Sequence, residues 1–340
     1  MGDELDGMSE RIRHIVKTEM PSLSSAAGYL FQPGVEGKRV RSTALLLVAS
    51  SLADGGAPDP HLLLADLAPY TAFPEHARRR QQRIAEITEM IHAATLLHDD
   101  VLDDAEQRRG MTAVNVLLGN KAAILAGDFL LARASVALAA LGNTEVVSLL
   151  ATVIEHLVTG EVMQSKGTEE ERLSLDYYYR KTFYKTASLI ANAAKAVALL
   201  GGHDAETAQL AHDYGRHLGM AFQLIDDVLD FVGSSSILGK PTLSDLHSGI
   251  ATAPVLFASE EHPELIPLIH RKFRHAGDVK EAARLVAQSQ GIRKAREAAE
   301  NHCRLAIKAV DSFPTALTKD ADVCRNALRF LATSVLGREK

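Results

Sequence analysis

Apolar residues recur at three- and four-residue spacing through most of this chain, as in Ile84, Ile87 and Ile91 and again in Leu218, Phe222, Ile225 and Leu229. Residues so spaced lie on one face of an α-helix, so each run reads as a buried helical stripe. Gly and Pro punctuate the pattern at Pro33-Gly34, Gly55-Gly56, Gly142-Asn143, Gly201-Gly202, Gly233-Ser234-Ser235-Ser236, Gly239-Lys240-Pro241 and Pro314. The intervals between these marks are helix-length, and alternating strands joined by hairpin turns are missing. The pattern predicts an all-α fold and one domain over residues 1–340. One stretch breaks it. From about Ala53 to Gln81, Pro58, Pro60, Pro69 and Pro74 interrupt the periodicity, and Arg78-Arg79-Arg80 forms a basic run. A loose connection ending in a solvated helix start is expected there.

Composition adds bounds. With 340 residues, 46% of them hydrophobic and 24% charged, the chain is long enough to enclose a cavity within an ordinary globular core. A net charge of -6 argues against a nucleic-acid binder, which needs a positive field. The most apolar stretch, Ala122 to Leu141, carries Asp128 and Arg133, both costly inside a bilayer, so no transmembrane segment is expected. Cys303 and Cys324 show neither disulfide-framework nor zinc spacing. The opening MGDELDG has neither the apolar core of a signal peptide nor the Arg/Ser-rich, acid-poor character of a transit peptide.

The candidate chemistry lies in an internal echo, LHDDVLD at Leu97–Asp103 against LIDDVLD at Leu224–Asp230. On a helix, Asp99 and Asp103 stack one turn apart, as do Asp100 and Asp104, and Asp226 stacks on Asp230 beside Asp227. Each like-charge pair costs an isolated helix roughly 0.2–0.5 kcal/mol. A single acidic run is usually a solvated helix end; two near-copies, each following an apolar stripe, point instead to a supplied cation. Magnesium suits such a place, because it is commonly held by one or two carboxylates together with substrate phosphates. An EF-hand is disfavoured, since its alternating acidic loop with a central Gly is absent.

Two DDxxD motifs in an all-α chain resemble the trans-isoprenyl (polyprenyl) diphosphate synthase family, and the likeness runs from Gly37 to about Phe257, nearest to the plant mitochondrial-type solanesyl synthases. The resemblance implies an isoprenoid-synthase-type helical bundle around a large central cavity. It also implies a prenyltransferase that condenses isopentenyl diphosphate with an allylic diphosphate, farnesyl or geranylgeranyl, making a long-chain product for a quinone side chain. Asp99, Asp100, Asp103, Asp226, Asp227 and Asp230 would bind Mg2+ on the allylic diphosphate. Lys38 and Arg41 of GKRVR, with His92 and Arg109, would hold isopentenyl diphosphate, and Arg108 would face the allylic diphosphate. Lys185 and Lys240 would neutralise the leaving diphosphate, while Thr186 and Gln223 would present oxygens to the developing cation; Gln164 would line the site. Two positions depart from the family wording. Ser42 replaces a usual Pro, with an effect expected on loop stiffness, and Ile250 replaces a lysine found in many relatives.

Product length in this family is read from the helix face preceding the first motif. Thr95, Ile91 and Thr88 lie within about 80° of Asp99 on the helical wheel, and no Phe or Tyr stands there, which favours a long product. The resemblance further implies a homodimer, a mitochondrial location with plastid or cytosol as alternatives, and peripheral membrane contact for product release. Two rival readings stay open at this point. One is a weakly active or non-catalytic partner subunit of a heteromeric synthase; the other is a terpene cyclase, which needs no site for isopentenyl diphosphate.

Overall fold

The computed structural model describes residues 2–32, 35, 37–53, 77–233, 242–316 and 318–338. Most of the expected loose connection, and Lys240, lie outside the described residues. The chain divides into two compact units, the first comprising Met1–Thr152, Asn192–His212 and Phe313–Ala327, the second Val153–Ala191, Asp213–Ser312 and Leu328–Lys340.

The first unit carries α1 (Gly2–Ile15), α2 (Pro21–Gly28), α3 (Val40–Ser51), α4 (Ala77–Leu102), the two-residue strands β1 (Gln107–Arg108) and β2 (Met111–Thr112), then α5 (Val114–Leu118) and α6 (Asn120–Ala139). The Ile84, Ile87 and Ile91 stripe is the inner face of α4, where Met90, Ala94 and Leu97 are buried with it. It packs on α6, whose buried residues Ala123, Ala126, Leu130 and Ala134 are mostly small. Small residues let the two backbones approach closely. Gly127 of α6 is the extreme case, since a Cβ there would lie 2.2 Å from His98 Nε2.

The helix start expected at the basic run is α4, which begins at Ala77. One expectation is corrected by the structure, since the run is not simply solvated. Arg78 binds both carboxylate oxygens of Glu4 at 2.8 and 2.9 Å and donates to Leu46 O, while Arg80 donates to Leu141 O. The described residues also include one hairpin, with Gln107 opposite Thr112 and Arg108 opposite Met111. Its turn residues, Arg109 and Gly110, have φ of 54° and 76°, the paired positive values that match the twist of a two-residue hairpin. So short a hairpin is set by its turn rather than by strand alternation.

The same unit buries an ion cluster. Glu86 pairs with Arg11 at 2.5 Å and with Arg83 at 2.7 Å, and all three side chains are almost fully enclosed.

α7 (Thr144–Lys166) and α11 (Ala205–Val232) run through the boundary between the units, as does α10 (Ser188–Leu200). The second unit adds α8 (Glu169–Leu173), α9 (Leu175–Thr182), α12 (Ser244–His247), α13 (Ala253–Ser259), α14 (Leu265–His270), α15 (Asp278–Gln288) and α16 (Gly291–Asp311); α17 (Lys319–Ser334) ends in it. Side-chain caps start several of these helices: Thr168 and Glu171 form a reciprocal capping box, and Asn143 and Asp204 accept from Val146 N–H and Thr207 N–H. These satisfy N–H groups that the first helical turn leaves without partners. Leu246, Val255, Leu265, Ile269, Phe273, Leu285 and Val286 form one core of this unit.

By length and composition α6 and α7 are apolar enough to cross a membrane. α6, however, carries Asp128 and Arg133, and its small buried residues pack on α4.

Candidate functional site

The first aspartate motif closes α4. Asp99 and Asp100 lie on its last turn, and Asp103, just past the helix end, still donates its N–H to Asp99 O at 2.8 Å, which keeps those two carboxyls one turn apart. Asp104 does not stack on Asp100 as expected, because its φ of 50° takes the chain out of the helix. Asn115 Nδ2 caps this end by donating to Asp100 O and Ala105 O, both at 3.0 Å.

Asp100 is 1% exposed. Its Oδ1 accepts from Arg108 Nε at 2.8 Å and from Arg108 Nη2, whereas its Oδ2, equally buried, has no hydrogen-bond partner among the described residues. A buried carboxylate oxygen without a donor is costly unless something positive fills the place.

Beside this motif, in the first unit, the charges of three arginines act on one histidine. His92, half-buried two turns before Asp99, is pushed well below the ordinary histidine value of 6.5, first by burial and then by Arg41, Arg109 and Arg108. Burial also lowers Arg41 and Arg109, which Glu89 partly offsets. Arg109 is fixed by donating to Val35 O at 2.6 Å. Its guanidinium lies against Gly37, where a Cβ would come within 2.9 Å of Cζ. The glycine of GKRVR thus admits the arginine of the hairpin, and its φ of 69° suits glycine as well. Lys38 follows it on the surface, ahead of α3.

Ser42 is not a loop residue. It lies on the first turn of α3, fully buried, and donates its hydroxyl to Glu89 Oε1. A proline there has no hydroxyl, so this serine orients the carboxylate that compensates Arg41 and Arg109.

In the second unit, the second motif lies on the last turns of α11. Asp227 is buried, and its carboxylate accepts from Tyr178 OH at 2.5 Å and from Gln223 Nε2 at 2.9 Å. Burial lifts its pKa above the usual carboxylate range, while Tyr178, Gln223 and Lys181 pull it back. Asp226 pairs with Arg338 Nη2 at 3.3 Å, the guanidinium lying 3.8 Å from the centre of the Phe222 ring. Asp230 is fully buried and accepts from Ser244 N, Ser244 Oγ and Asp245 N, so it caps α12 and holds the chain leading into it.

Lys185 and Thr186 fall on a single π-helical turn, Phe183–Ala187, between α9 and α10. Such turns are rare and recur at functional sites. Lys185 Nζ reaches Glu161 Oε2 at 2.5 Å, and Thr186 donates to Gln223 Oε1 at 3.0 Å, completing a chain Thr186–Gln223–Asp227–Tyr178. Gly160 of α7 makes room, since a Cβ there would meet Lys185 Cγ at 2.8 Å.

Within the first unit, therefore, the structure brings Arg41, His92, Arg108 and Arg109 together beside the first motif. Within the second it brings Lys185, Thr186 and Gln223 to the second. Tyr178, Lys181, Glu89 and Arg338 were not among the residues expected from sequence. Tyr178 and Lys181 had a signal, because they precede Lys185 by seven and four residues on one helical face; Arg338 and Glu89 had none.

A family model described as polyprenyl synthetase matches residues 20–286. The chain belongs to this family. Solanesyl-diphosphate synthase 1, mitochondrial, of Oryza sativa subsp. japonica is 52% identical over 340 residues, spanning 100% of this chain and 78% of its own length. Among solved structures, the apo form of an Arabidopsis medium/long-chain length prenyl pyrophosphate synthase is 47% identical with a TM-score of 0.77, covering 100% of this chain and 98% of that one. A Caulobacter crescentus polyprenyl synthase complexed with calcium and isoprenyl diphosphate is 30% identical with a TM-score of 0.83, covering 100% and 96%. The fold is the all-α isoprenoid-synthase fold and the chain is a long-chain prenyltransferase, as the motifs implied. Divalent-metal dependence belongs to the family.

The residues present fit a divalent metal. The donors are hard carboxylate oxygens, one of them buried and unpartnered on Asp100. No three His, Cys, Asp or Glu side chains converge into a ready cage among the described residues. That suits an ion completing its shell with substrate phosphates and water.

Proposed function

We propose that this chain condenses isopentenyl diphosphate units onto farnesyl or geranylgeranyl diphosphate with Mg2+ as its metal, giving a long trans-polyprenyl diphosphate, solanesyl with nine units, for a quinone side chain. The observation that carries this reading is the positive charge of Arg41, Arg108 and Arg109 acting on His92 directly beside an aspartate motif, with Arg108 held by Asp100. A diphosphate bound by forked arginine donors needs such a cluster. A terpene cyclase needs no cationic site for a second diphosphate.

In this reading Lys38, Arg41, His92 and Arg109 bind isopentenyl diphosphate, and Arg108, held by Asp100, faces the allylic diphosphate. Asp99, Asp100 and Asp103, and likewise Asp226, Asp227 and Asp230, hold the metal on the allylic diphosphate. Of these, Asp230 is already engaged by α12, so its part is chiefly to position the others. When bound, the metal neutralises charge that builds on the leaving diphosphate. Lys185 and Lys240 add to that neutralisation, and Thr186 with Gln223 turns oxygen dipoles toward the allylic cation. The isopentenyl double bond attacks that cation, one proton is lost to the released diphosphate, and the product is an allylic diphosphate one unit longer. Apolar helices exclude water that would quench the cation.

The test is incubation with labelled isopentenyl diphosphate, farnesyl diphosphate and Mg2+, followed by chain-length analysis. A metal-dependent ladder ending at a long product supports the reading; no elongation, under conditions in which a homologue works, favours a partner subunit of a heteromeric synthase. Thr95 offers a sharper check. It is half-buried on α4, about 6 Å along the axis from Asp99 at ~1.5 Å per residue, with Ile91 and Thr88 buried beneath it. Thr95→Phe is expected to shorten the product while leaving the first condensations intact, and an unchanged ladder would refute the assigned face.

The location is mitochondrial by likeness to the rice synthase, and the family match at 20–286 crosses both units, which supports one functional domain. Val116, Leu117 and Leu118 on α5 and Ile124, Leu125 and Val136 on α6 are exposed. An apolar patch of this kind marks an interface, and a second copy of the chain is its proposed occupant. Sedimentation should then read the mass of two chains.

A further inference from the structure

The first aspartate motif sits at the end of α4 least suited to hold it. The last carbonyls of a helix lack partners within it, and the helix dipole is negative at that end. Carboxylates placed there are repelled by the helix end as well as by one another. Something has to hold the turn in shape before a cation arrives.

Asn115 does so from outside the helix. It lies on α5, which packs on both α4 and α6, and it follows Ala113 and Val114, both buried. Its Nδ2 donates to Asp100 O and to Ala105 O, each at 3.0 Å, so one amide spans the two ends of the turn that carries Asp103. Ala105 N–H closes the same turn onto Asp100 O at 2.9 Å, while Asp104 takes a φ of 50°. Both atoms that the amide meets are carbonyl oxygens, which only accept, and this fixes which of its own atoms points at them. Asn115 Oδ1 is buried with no hydrogen-bond partner among the described residues. The two donated bonds therefore outweigh an unsatisfied acceptor.

We propose that Asn115 is a positioning residue for the metal. By tying Asp100 O to Ala105 O it keeps Asp103 one turn from Asp99 and steadies Asp100, which in turn holds Arg108. This rests on the prenyltransferase reading above. Arg109 does not share the anchor, because it is fixed at Val35 O. The clamp therefore acts on metal-supported binding and leaves the isopentenyl diphosphate site alone.

The test compares the wild type with Asn115→Asp and Asn115→Ala. Aspartate keeps the shape of the side chain but can donate to neither carbonyl. Binding of inorganic diphosphate is titrated calorimetrically with and without Mg2+, elongation is followed against Mg2+ concentration, and thermal melts check folding. Loss of a group that orients metal ligands typically costs about 10- to 100-fold in metal affinity. Both variants should therefore lose about 10-fold or more of the diphosphate affinity that Mg2+ adds and need correspondingly more Mg2+ for half-maximal elongation. Metal-free diphosphate binding and the KM for isopentenyl diphosphate should stay within a few-fold of the wild type. Should Asn115→Asp fail to fold, Asn115→Ala carries the test, read in the same way. A folded variant that keeps the metal-supported affinity assigns Asn115 to packing and overturns the inference, as does metal-free binding that falls in step with it. A wild type in which Mg2+ adds no diphosphate affinity, or which does not elongate, overturns the functional reading instead.

Discussion

Asp99→Ala/Asp100→Ala should lose elongation by about 10³-fold or more. Removing one preorganised group that stabilises developing charge typically costs about 10²–10³ in kcat; in the proposed reading this pair holds the metal, and Asp100 also holds Arg108. Asp100 does two things at once: its Oδ1 fixes Arg108, and its Oδ2 is buried with no other partner among the described residues. Alanine at 100 frees the guanidinium as well as removing the carboxylate. The loss should fall mainly on kcat, measured with saturating isopentenyl and allylic diphosphates. The melting profile should stay near that of the wild type, because both residues lie on the last turn of α4, past the apolar stripe that packs on α6. Retention of a tenth of wild-type turnover would show that the first motif is not the metal site.

The largest effect on stability is expected at Glu86. Its carboxylate sits between Arg11 and Arg83, with side-chain exposures of 2%, 8% and 4% for the three residues. Breaking a buried pair by removing one partner costs about 3–5 kcal/mol, since it leaves an uncompensated charge out of water. Glu86→Ala strands two guanidinium groups, so the upper part of that range applies. The denaturant midpoint read by circular dichroism should fall markedly. Replacing all three residues by apolar side chains of similar volume should recover most of the loss. A midpoint within experimental error of the wild type would mean that water reaches the cluster.

Much of the candidate site was legible in the residues alone, and the reasons are local. DDVLD at the end of an apolar stripe implies carboxylates one turn apart, and for Asp99 with Asp103 the helical hydrogen bond from residue 103 back to 99 preserves that spacing. Asp104 failed because a backbone that turns to positive φ is decided by its neighbours further along the chain, the hairpin and the Asn115 cap. The basic run at Arg78 reads as a helix start, and α4 does begin at Ala77; its packing was not legible because its partner, Glu4, lies on α1, 74 residues away. Ser42 was misjudged because its partner, Glu89, lies on another helix.

What the sequence determined by itself was therefore whatever repeats with the helical period: the all-α class, the stripes that become the core, and the two aspartate sets with the basic residues nearest to them in the chain. Period and spacing act over one or two turns, and so they survive folding almost unchanged. Only the tertiary structure decided which charges meet across helices. The Tyr178 hydroxyl on Asp227, separated by 49 residues, the arginines whose charges act on His92 and Arg338 on Asp226 all depend on how helices pack. That packing is set by close contacts such as Gly127 against His98 and Gly160 against Lys185, in which a hydrogen stands where any side chain would collide. No one-dimensional period records contacts of that kind.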